Sequence, residues 1–437
     1  MSQTIVRPST LPGFMELLPH EQILFNHMMD TIRKNYEKFG FLPIDTPVIE
    51  KSEVLLAKGG GETEKQIYRF EKGTTDMSLR FDLTVPLARY TAEHYSDLNF
   101  PFKRYHIGKV YRGERNQKGR FREFYQCDVD IIGNGSLDVV NDAEIPAIIY
   151  STFKDLGFDS FTIKINNRKV LTGFFSSLDI DDSTFVLRAV DKIEKIGVEN
   201  VKEELKKLNI EDDKVNKIIE FINIKGSNES IISRLKELNI NNPVFVEGLE
   251  ELEIVSNYIA SFGVSKENYQ IDLTITRGLD YYTGTVYETF LDDHPEVGSV
   301  CSGGRYDDLA NHYTKQKLPG VGISIGLTRL YYQLTEAKII DTKESSLAKA
   351  LIIPMDENCL QRSVEIGNAL RTEDIFTQVY LEPARLGRKF NYADKMKVPY
   401  VVVVGEEEIK TNLYPLRNME TGDQESLSIE DIINSLK

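Results

Sequence analysis

Three stretches of this chain carry residue types suited to holding a nucleotide. The first is Lys103–Arg122, where eight basic residues (Lys103, Arg104, Lys109, Arg112, Arg115, Lys118, Arg120 and Arg122) surround one acid, Glu114. A local charge of +7 inside a chain of net charge −15 points to an anionic partner. Arginine dominates the stretch, and its planar fork matches phosphate oxygens two at a time. The second stretch is RGLDYYTGTVYE at 277–288. The third runs from GGRYDDLANHY to LPGVGISIGLTRL, over 303–330, where Gly320, Gly322 and Gly326 line a strand leading into a helix that holds Arg329. Glycine at alternate strand positions strips one face of side chains, so either a flat ligand or a neighbouring element can approach the backbone. No GxxxxGK[ST] loop and no GxGxxG fingerprint occurs. A nucleotide would therefore be held by arginines and a metal ion rather than by a glycine-rich loop.

Composition narrows the rest. The three cysteines, Cys127, Cys301 and Cys359, are far apart and form no CxxC pair, and the six histidines form no HExxH pattern. No protein-only metal site is expected, and a reducing, cytoplasmic setting is. No apolar run is long enough for a membrane span, and the N-terminus does not read as a signal peptide. With 437 residues, 41% hydrophobic and 28% charged, the chain reads as globular with two or three domains.

The elements that must position these residues show as periodicities. Ile23, Leu24, Met28, Ile32 and Tyr36 recur at helical spacing over 20–39, and Gly40 stands where such a helix would stop. The proline-broken FLPIDTPVIE that follows belongs at an edge or an interface. MSLRFDLT at 77–84, EFYQCDVDI at 123–131 and QIDLTIT at 270–276 alternate with period two. In the second of these, Phe124, Gln126, Asp128 and Asp130 share the polar face; in the first, Ser78, Arg80, Asp82 and Thr84 do. Several such strands predict an antiparallel sheet with one packed and one polar face, and an aromatic, an amide and acids on the polar face suit a ligand platform. Residues 172–265 are rich in Glu, Lys, Ile and Leu with helical periodicity, and 334–348 reads as a linker. Beyond it, ALIIPM and PYVVVVG alternate with helical patterns at 359–371, 386–396 and 427–436, an α/β unit. The run Glu406–Glu408 within that unit reads as a solvated turn.

Taken together, these segments resemble the histidyl-tRNA synthetases, of the class II aminoacyl-tRNA synthetases. GFLPIDTPVIE is similar to motif 1, VYRGERNQKGRFREFYQCDVDIIG to motif 2 and GVGISIGLTRL to motif 3; RGLDYYTG and SGGRYD resemble the two segments characteristic of the histidyl enzymes. The resemblance implies that Arg112 grips the α-phosphate, that Glu114 meets the adenine end or the metal, and that Phe124 stacks on adenine, with Arg329 above it and Gly326 beside it. It implies that Asp82 and Thr84 bind the α-amino group of L-histidine and Gln126 its carboxylate. Asp130 and Tyr282 would address the imidazole, with Tyr281, Gly303, Gly304, Arg305 and Tyr306 closing the pocket. Arg277 would be catalytic, stabilising charge on the α-phosphate as ATP reacts with Mg²⁺ alongside. Arg115, Gln117, Lys118 and Arg120 would meet the acceptor end of tRNA-His. Two departures stand out: Asp130 where many members have glutamate, and Thr328 where motif 3 usually has glutamate, with a local change of hydrogen bonding expected.

The fold implied is α+β: an antiparallel sheet flanked by helices, a helical insertion and a C-terminal α/β anticodon-binding domain. The expected boundaries are 1–171 for the first part of the catalytic core, 172–265 for the insertion, 266–333 for the second part, 334–348 for the linker and 349–437 for the anticodon-binding domain. A homodimer through motif 1 and no membrane partner are expected. The alternative is a non-catalytic paralogue serving as regulatory subunit of ATP phosphoribosyltransferase, a class that typically lacks the C-terminal unit. A pure RNA-binding or histidine-sensing module is a third reading, and retention of the phosphate arginines weighs against it.

Overall fold

The computed structural model describes residues 6–57, 62–114, 119–180, 183–276, 282–340 and 346–437, with the backbone alone at 62, 63, 194 and 195. Arg115, Gln117, Lys118, Arg277 and Tyr281 lie outside the described residues. The chain divides into two compact units, one of residues 1–16 and 28–337, the other of 17–27 and 338–437.

The first long helix runs over Pro19–Lys38, with Met28, Ile32 and Tyr36 buried along it. Gly40, at φ +78°, ends it. Its N–H bonds to the Glu37 carbonyl at 2.9 Å and the Phe41 N–H to the Tyr36 carbonyl at 3.2 Å, a closure that a Cβ at position 40 would strain.

The strands of this unit are β1 (Leu42–Pro43), β2 (Ile49–Lys51), β3 (Arg69–Lys72), β4 (Thr75–Leu79), β5 (Phe102–Tyr111), β6 (Glu123–Ile132), β7 (Phe161–Asn167), β8 (Tyr269–Ile271), β9 (Thr285–Leu291), β10 (Cys301–Tyr306) and β11 (Gly320–Ile325). One sheet has the order β1-β5-β6-β11-β10-β9-β7-β8, and β2, β4 and β3 form a small second sheet. From β5 to β7 the pairs of the large sheet are antiparallel, while the short β1 and β8 add parallel edges. Pro43 thus sits on an edge strand, where its missing N–H costs no ladder bond. On β6, Cys127, Val129 and Ile131 are fully buried. The helix Leu327–Glu336 packs on this strand, and the helix Asn141–Asp155 packs on β11.

Two of the three alternating stretches are shorter strands than their patterns predict. The strand at 77–84 stops at Leu79, in the small sheet, and Thr84 opens the helix Thr84–Glu93. The Asp82 carboxylate accepts the Val85 N–H at 3.1 Å and so turns the chain into that helix. The polar face here is buried along with Phe81 and Leu83: Ser78, Arg80 and Asp82 are at most 3% exposed. Arg80 is accommodated because its guanidinium donates to the Lys109 carbonyl at 2.9 Å and the Thr46 carbonyl at 2.5 Å. The strand at 270–276 stops at Ile271, because the Asp272 carboxylate accepts both the N–H (3.0 Å) and the hydroxyl (2.6 Å) of Thr274 and closes a turn.

Between β7 and β8 come the helices Arg168–Ser177, Ser183–Val190, Ile193–Ile196, Val198–Lys207, Asp212–Ile222, Asn228–Glu237 and Pro243–Ser261. They fall in the same compact unit as the large sheet. The second unit contains β12 (Ala350–Pro354), β13 (Thr377–Val379), β14 (Tyr400–Val404), β15 (Tyr414–Asn418) and β16 (Gln424–Leu427), in the order β13-β12-β14-β15-β16. β13, β12 and β14 are parallel, and β15 and β16 continue antiparallel. The helices Leu360–Thr372, Leu386–Lys395 and Ile429–Leu436 accompany them. Glu406, Glu407 and Glu408 form the first turn of the helix Glu406–Thr411 rather than a turn, and negative charge is favourable at that positive helix end.

Candidate active site

The polar face of β6 opens on a cavity of about 460 Å³, within the size range of small-molecule sites. Successive residues of one face lie about 7 Å apart along a strand, so Phe124, Gln126, Asp128 and Asp130 line the cavity as a row. Strand pairing extends that row sideways. His106, Asp128, Ser324, Ser302 and Glu288 are register neighbours from β5 to β9, and Arg104, Asp130, Gly322 and Gly304 form the next rung.

At the Phe124 end, the Arg112 guanidinium lies 5.2 Å from the Phe124 ring centroid, a cation–π distance. Its Nε donates to the Phe81 carbonyl at 2.9 Å, which fixes the direction of the fork. Arg329, on the helix Leu327–Glu336, lines the same cavity, as do Glu114, Arg120 and Gly326. The Thr328 hydroxyl accepts the Tyr125 N–H at 2.8 Å and ties this helix to β6.

At the other end, Asp130 is 4% exposed. Its Oδ1 accepts the Tyr306 hydroxyl at 2.7 Å and its Oδ2 lies 2.6 Å from Arg104 Nη2. A Cβ on Gly322 would stand 2.2 Å from Asp130 Oδ1, and one on Gly320 would stand 2.5 Å from the Tyr306 ring. The alternate glycines of β11 therefore make room for the side chains of the neighbouring strands. Asp82, Thr84, Tyr282, Gly303 and Tyr306 complete this end. Burial pushes Asp82 up to about 6 and Asp128 up to about 7; Arg104 opposes the rise at both, joined by Arg112 at Asp82. Burial also raises Asp130, against the pull of Arg104. His106, pushed down to about 3 by burial and by the charges of Arg104 and Arg80, is neutral.

Of the residues singled out from sequence, Asp82, Thr84, Arg112, Glu114, Arg120, Phe124, Gln126, Asp130, Tyr282, Gly303, Tyr306, Gly326 and Arg329 line this one cavity. Gly304 and Arg305 do not line it. SGGRY lies in strand β10, and Arg305 points to the face opposite Tyr306. There it bonds the buried Asp142 at 2.7 Å and the carbonyls of Leu137 and Asp138. Nor is the basic stretch a uniform anion surface. Lys103 pairs with Glu144 (2.7 Å), Arg104 with Asp130, Lys109 with Glu123 (2.7 Å) and Arg120 with Glu114 (3.1 Å).

A family model described as histidyl-tRNA synthetase matches residues 13–330, and one described as anticodon binding domain matches residues 349–437. The chain belongs to the histidyl-tRNA synthetase family. A relative from Clostridium tetani named histidine–tRNA ligase is 66% identical over the full length of both chains. Another of that name, from Finegoldia magna, is 52% identical over 99% of this chain and 100% of its own. The crystal structure of histidyl-tRNA synthetase from Nostoc sp. PCC 7120 superposes with a TM-score of 0.93 at 40% identity, covering 99% of each chain. A Bacillus halodurans protein described as an ATP phosphoribosyltransferase regulatory subunit/histidyl-tRNA synthetase has a TM-score of 0.73 at 19% identity, over 89% of this chain and 97% of its own, and shares the fold.

Sequence reading assigned no role to several residues that the fold brings to the cavity of this synthetase-family chain. Asp128, Glu288, Ser302, Ser324 and Gln333 line it. Asp128 carried a signal, its parity with Gln126 and Asp130. Glu288 and Ser302 reach the cavity only through the pairing of β9, β10 and β11, and no local pattern reports that.

Proposed function

We propose that this chain activates L-histidine with ATP to histidyl-adenylate and pyrophosphate, then transfers histidine to the 3′ end of tRNA-His. One observation carries the reading. A single cavity, which Arg329 also lines, has an aromatic with a cation over it, Phe124 with Arg112, at one end and buried carboxylates at the other. An adenine and its α-phosphate suit the first, and an ammonium and an imidazole N–H suit the second.

In this reading Phe124 stacks on adenine, with Arg329 above it and Gly326 leaving space. Arg112 and Arg277 hold the α-phosphate. Attack by the histidine carboxylate forms an oxygen–phosphorus bond and expels pyrophosphate, and fixed guanidinium groups stabilise the charge that builds on the phosphoryl oxygens. Gln126 orients the attacking carboxylate; its amide donates to Ser324 at 3.1 Å. Asp82 and Thr84 receive the α-amino group. Asp130, held by Arg104 and Tyr306, has lone pairs left to accept an imidazole N–H, with Tyr281, Tyr282, Gly303 and Tyr306 around the ring. Among the described residues no group of three or more acidic, cysteine or histidine side chains is placed to cage a metal. Mg²⁺ fits as an ion carried by ATP phosphates; Glu114, on leaving Arg120, and Glu288 are the cavity carboxylates that would hold it, and it would neutralise phosphate charge there. Arg115, Gln117, Lys118 and Arg120 meet the tRNA acceptor end, and residues 349–437 bind the anticodon. The catalytic core is residues 1–171 and 266–333, interrupted by a helical insertion at 172–265 and joined to the C-terminal domain through 334–348. The working form is a cytoplasmic homodimer joined through the motif 1 segment. Among the described residues no helix is long and apolar enough to cross a membrane.

Charging of a tRNA-His transcript with labelled histidine tests this. Incorporation that requires ATP and fails with other tRNAs is expected; histidine binding without incorporation would contradict it and favour the regulatory-subunit reading.

A further inference from the structure

Asp128 stands between the two ends of the proposed histidine site and has no assigned role. It is 2% exposed and lines the cavity. Its Oδ1 has no hydrogen-bond partner among the described residues, and neither has Oδ2 of Asp82, which is 3% exposed and lines the same cavity. A buried carboxylate oxygen without a donor is costly, and here two face one space.

The groups around Asp128 leave this oxygen without a donor. Arg104, from β5, acts on it and has Nη2 2.6 Å from Asp130, but none of its N–H groups makes a hydrogen bond to Asp128. His106, its register neighbour on β5, is neutral, and Ser324 on β11 supplies a hydroxyl. Asp130 on the same strand and Asp82 add negative charge nearby, and Glu288 on β9 lines the same cavity. The position is also suggestive. Along β6, Asp128 lies midway between Gln126, the proposed carboxylate contact, and Asp130, the proposed imidazole contact. What a histidine carries between carboxylate and ring is its Cα and ammonium.

We propose that Asp128 is a substrate-binding residue, forming with Asp82 a two-carboxylate pocket for the α-ammonium of the amino acid. This rests on the histidine-activating reading and adds to it a specificity determinant. The site would reject a deaminated analogue because both carboxylates would stay buried and unpaired. The raised pKa values of Asp82 and Asp128 fit a site that is partly protonated when empty. An arriving ammonium favours the ionised form of both, so binding near pH 7 expels protons to solvent.

The test is titration calorimetry of L-histidine and of imidazole-4-propionate, its analogue without the amino group, in two buffers of different ionisation enthalpy. The full-length chain is compared with Asp128→Asn. Asparagine keeps the shape and resembles the protonated carboxyl, and a melting curve confirms that the variant is folded. Histidine affinity is expected to fall about 10- to 100-fold in the variant, the worth of a hydrogen bond to a charged group, with fewer protons released. Affinity for imidazole-4-propionate should be unchanged or improved. Equal losses for both ligands, or wild-type histidine affinity and proton release in the variant, would overturn the proposal and leave the histidine reading standing. A wild-type chain that binds neither ligand would overturn both.

Discussion

Arg112 has one side chain and three geometric commitments: a backbone acceptor at Phe81, the Phe124 ring and the cavity between them. Substituting alanine should slow adenylate formation by about 10² to 10³, the usual cost of a lost charge-stabilising donor, while histidine affinity changes little. Lysine should recover little of it, because it lacks the fork that both donates to Phe81 and covers the ring. Single-turnover rates alongside histidine titrations would separate the two effects. Asp128 makes a different prediction, about stability. Its carboxyl is held up to about 7 by burial, above its unfolded value near 3.9. The folded state therefore binds this proton more tightly than the unfolded state does. The stability linked to it is present below pH ~4 and is lost as pH rises towards ~7. Ligand-free Asp128→Asn lacks this loss, so its melting temperature relative to wild type should be higher at pH 8 than at pH 5. A difference that does not grow with pH would show that the carboxyl titrates normally.

β11 shows how an element, rather than a residue, sets the site. Its glycines leave the space that Asp130 and Tyr306 fill from the strands on either side. A methyl group at Gly322 would meet Asp130 Oδ1 at 2.2 Å and the Val129 carbonyl at 2.4 Å. Gly322→Ala is therefore expected to cost about 1–3 kcal/mol of stability, the range for overpacking, and to lower histidine affinity by displacing Asp130. Denaturant titration and ligand binding on one preparation would check both. The elements also show what was legible in the sequence. β6 was, because its two faces differ in every residue, and so was the strand-to-helix passage that places Arg329. The stretches at 77–84 and 270–276 misled because alternation says nothing of where a strand ends; a capping carboxylate at Asp82 and an Asp272 turn decide that. Arg305 misled for a related reason. Its partner Asp142 is far away in sequence, and only the packing of the helix Asn141–Asp155 on the sheet brings them together.

For the whole molecule, charge and architecture have to be read together. A chain of net charge −15 with a basic stretch of eight residues looked like an acidic body with one anion-binding surface. Among the described residues four of those basic side chains are matched by carboxylates, and three of the four carboxylates, Glu123, Glu144 and Asp130, come from beyond the stretch. Arg112, over the Phe124 ring, and Arg329 both line the cavity. The compact unit that holds this cavity and the α/β unit after it match separate family models, one for histidyl-tRNA synthetase and one for an anticodon binding domain. If this cavity activates histidine, labelled pyrophosphate will exchange into ATP with Mg²⁺ when histidine is supplied and with no other member of a panel of amino acids. A folded chain that binds histidine yet shows no exchange with any amino acid would mean that the cavity does not activate it.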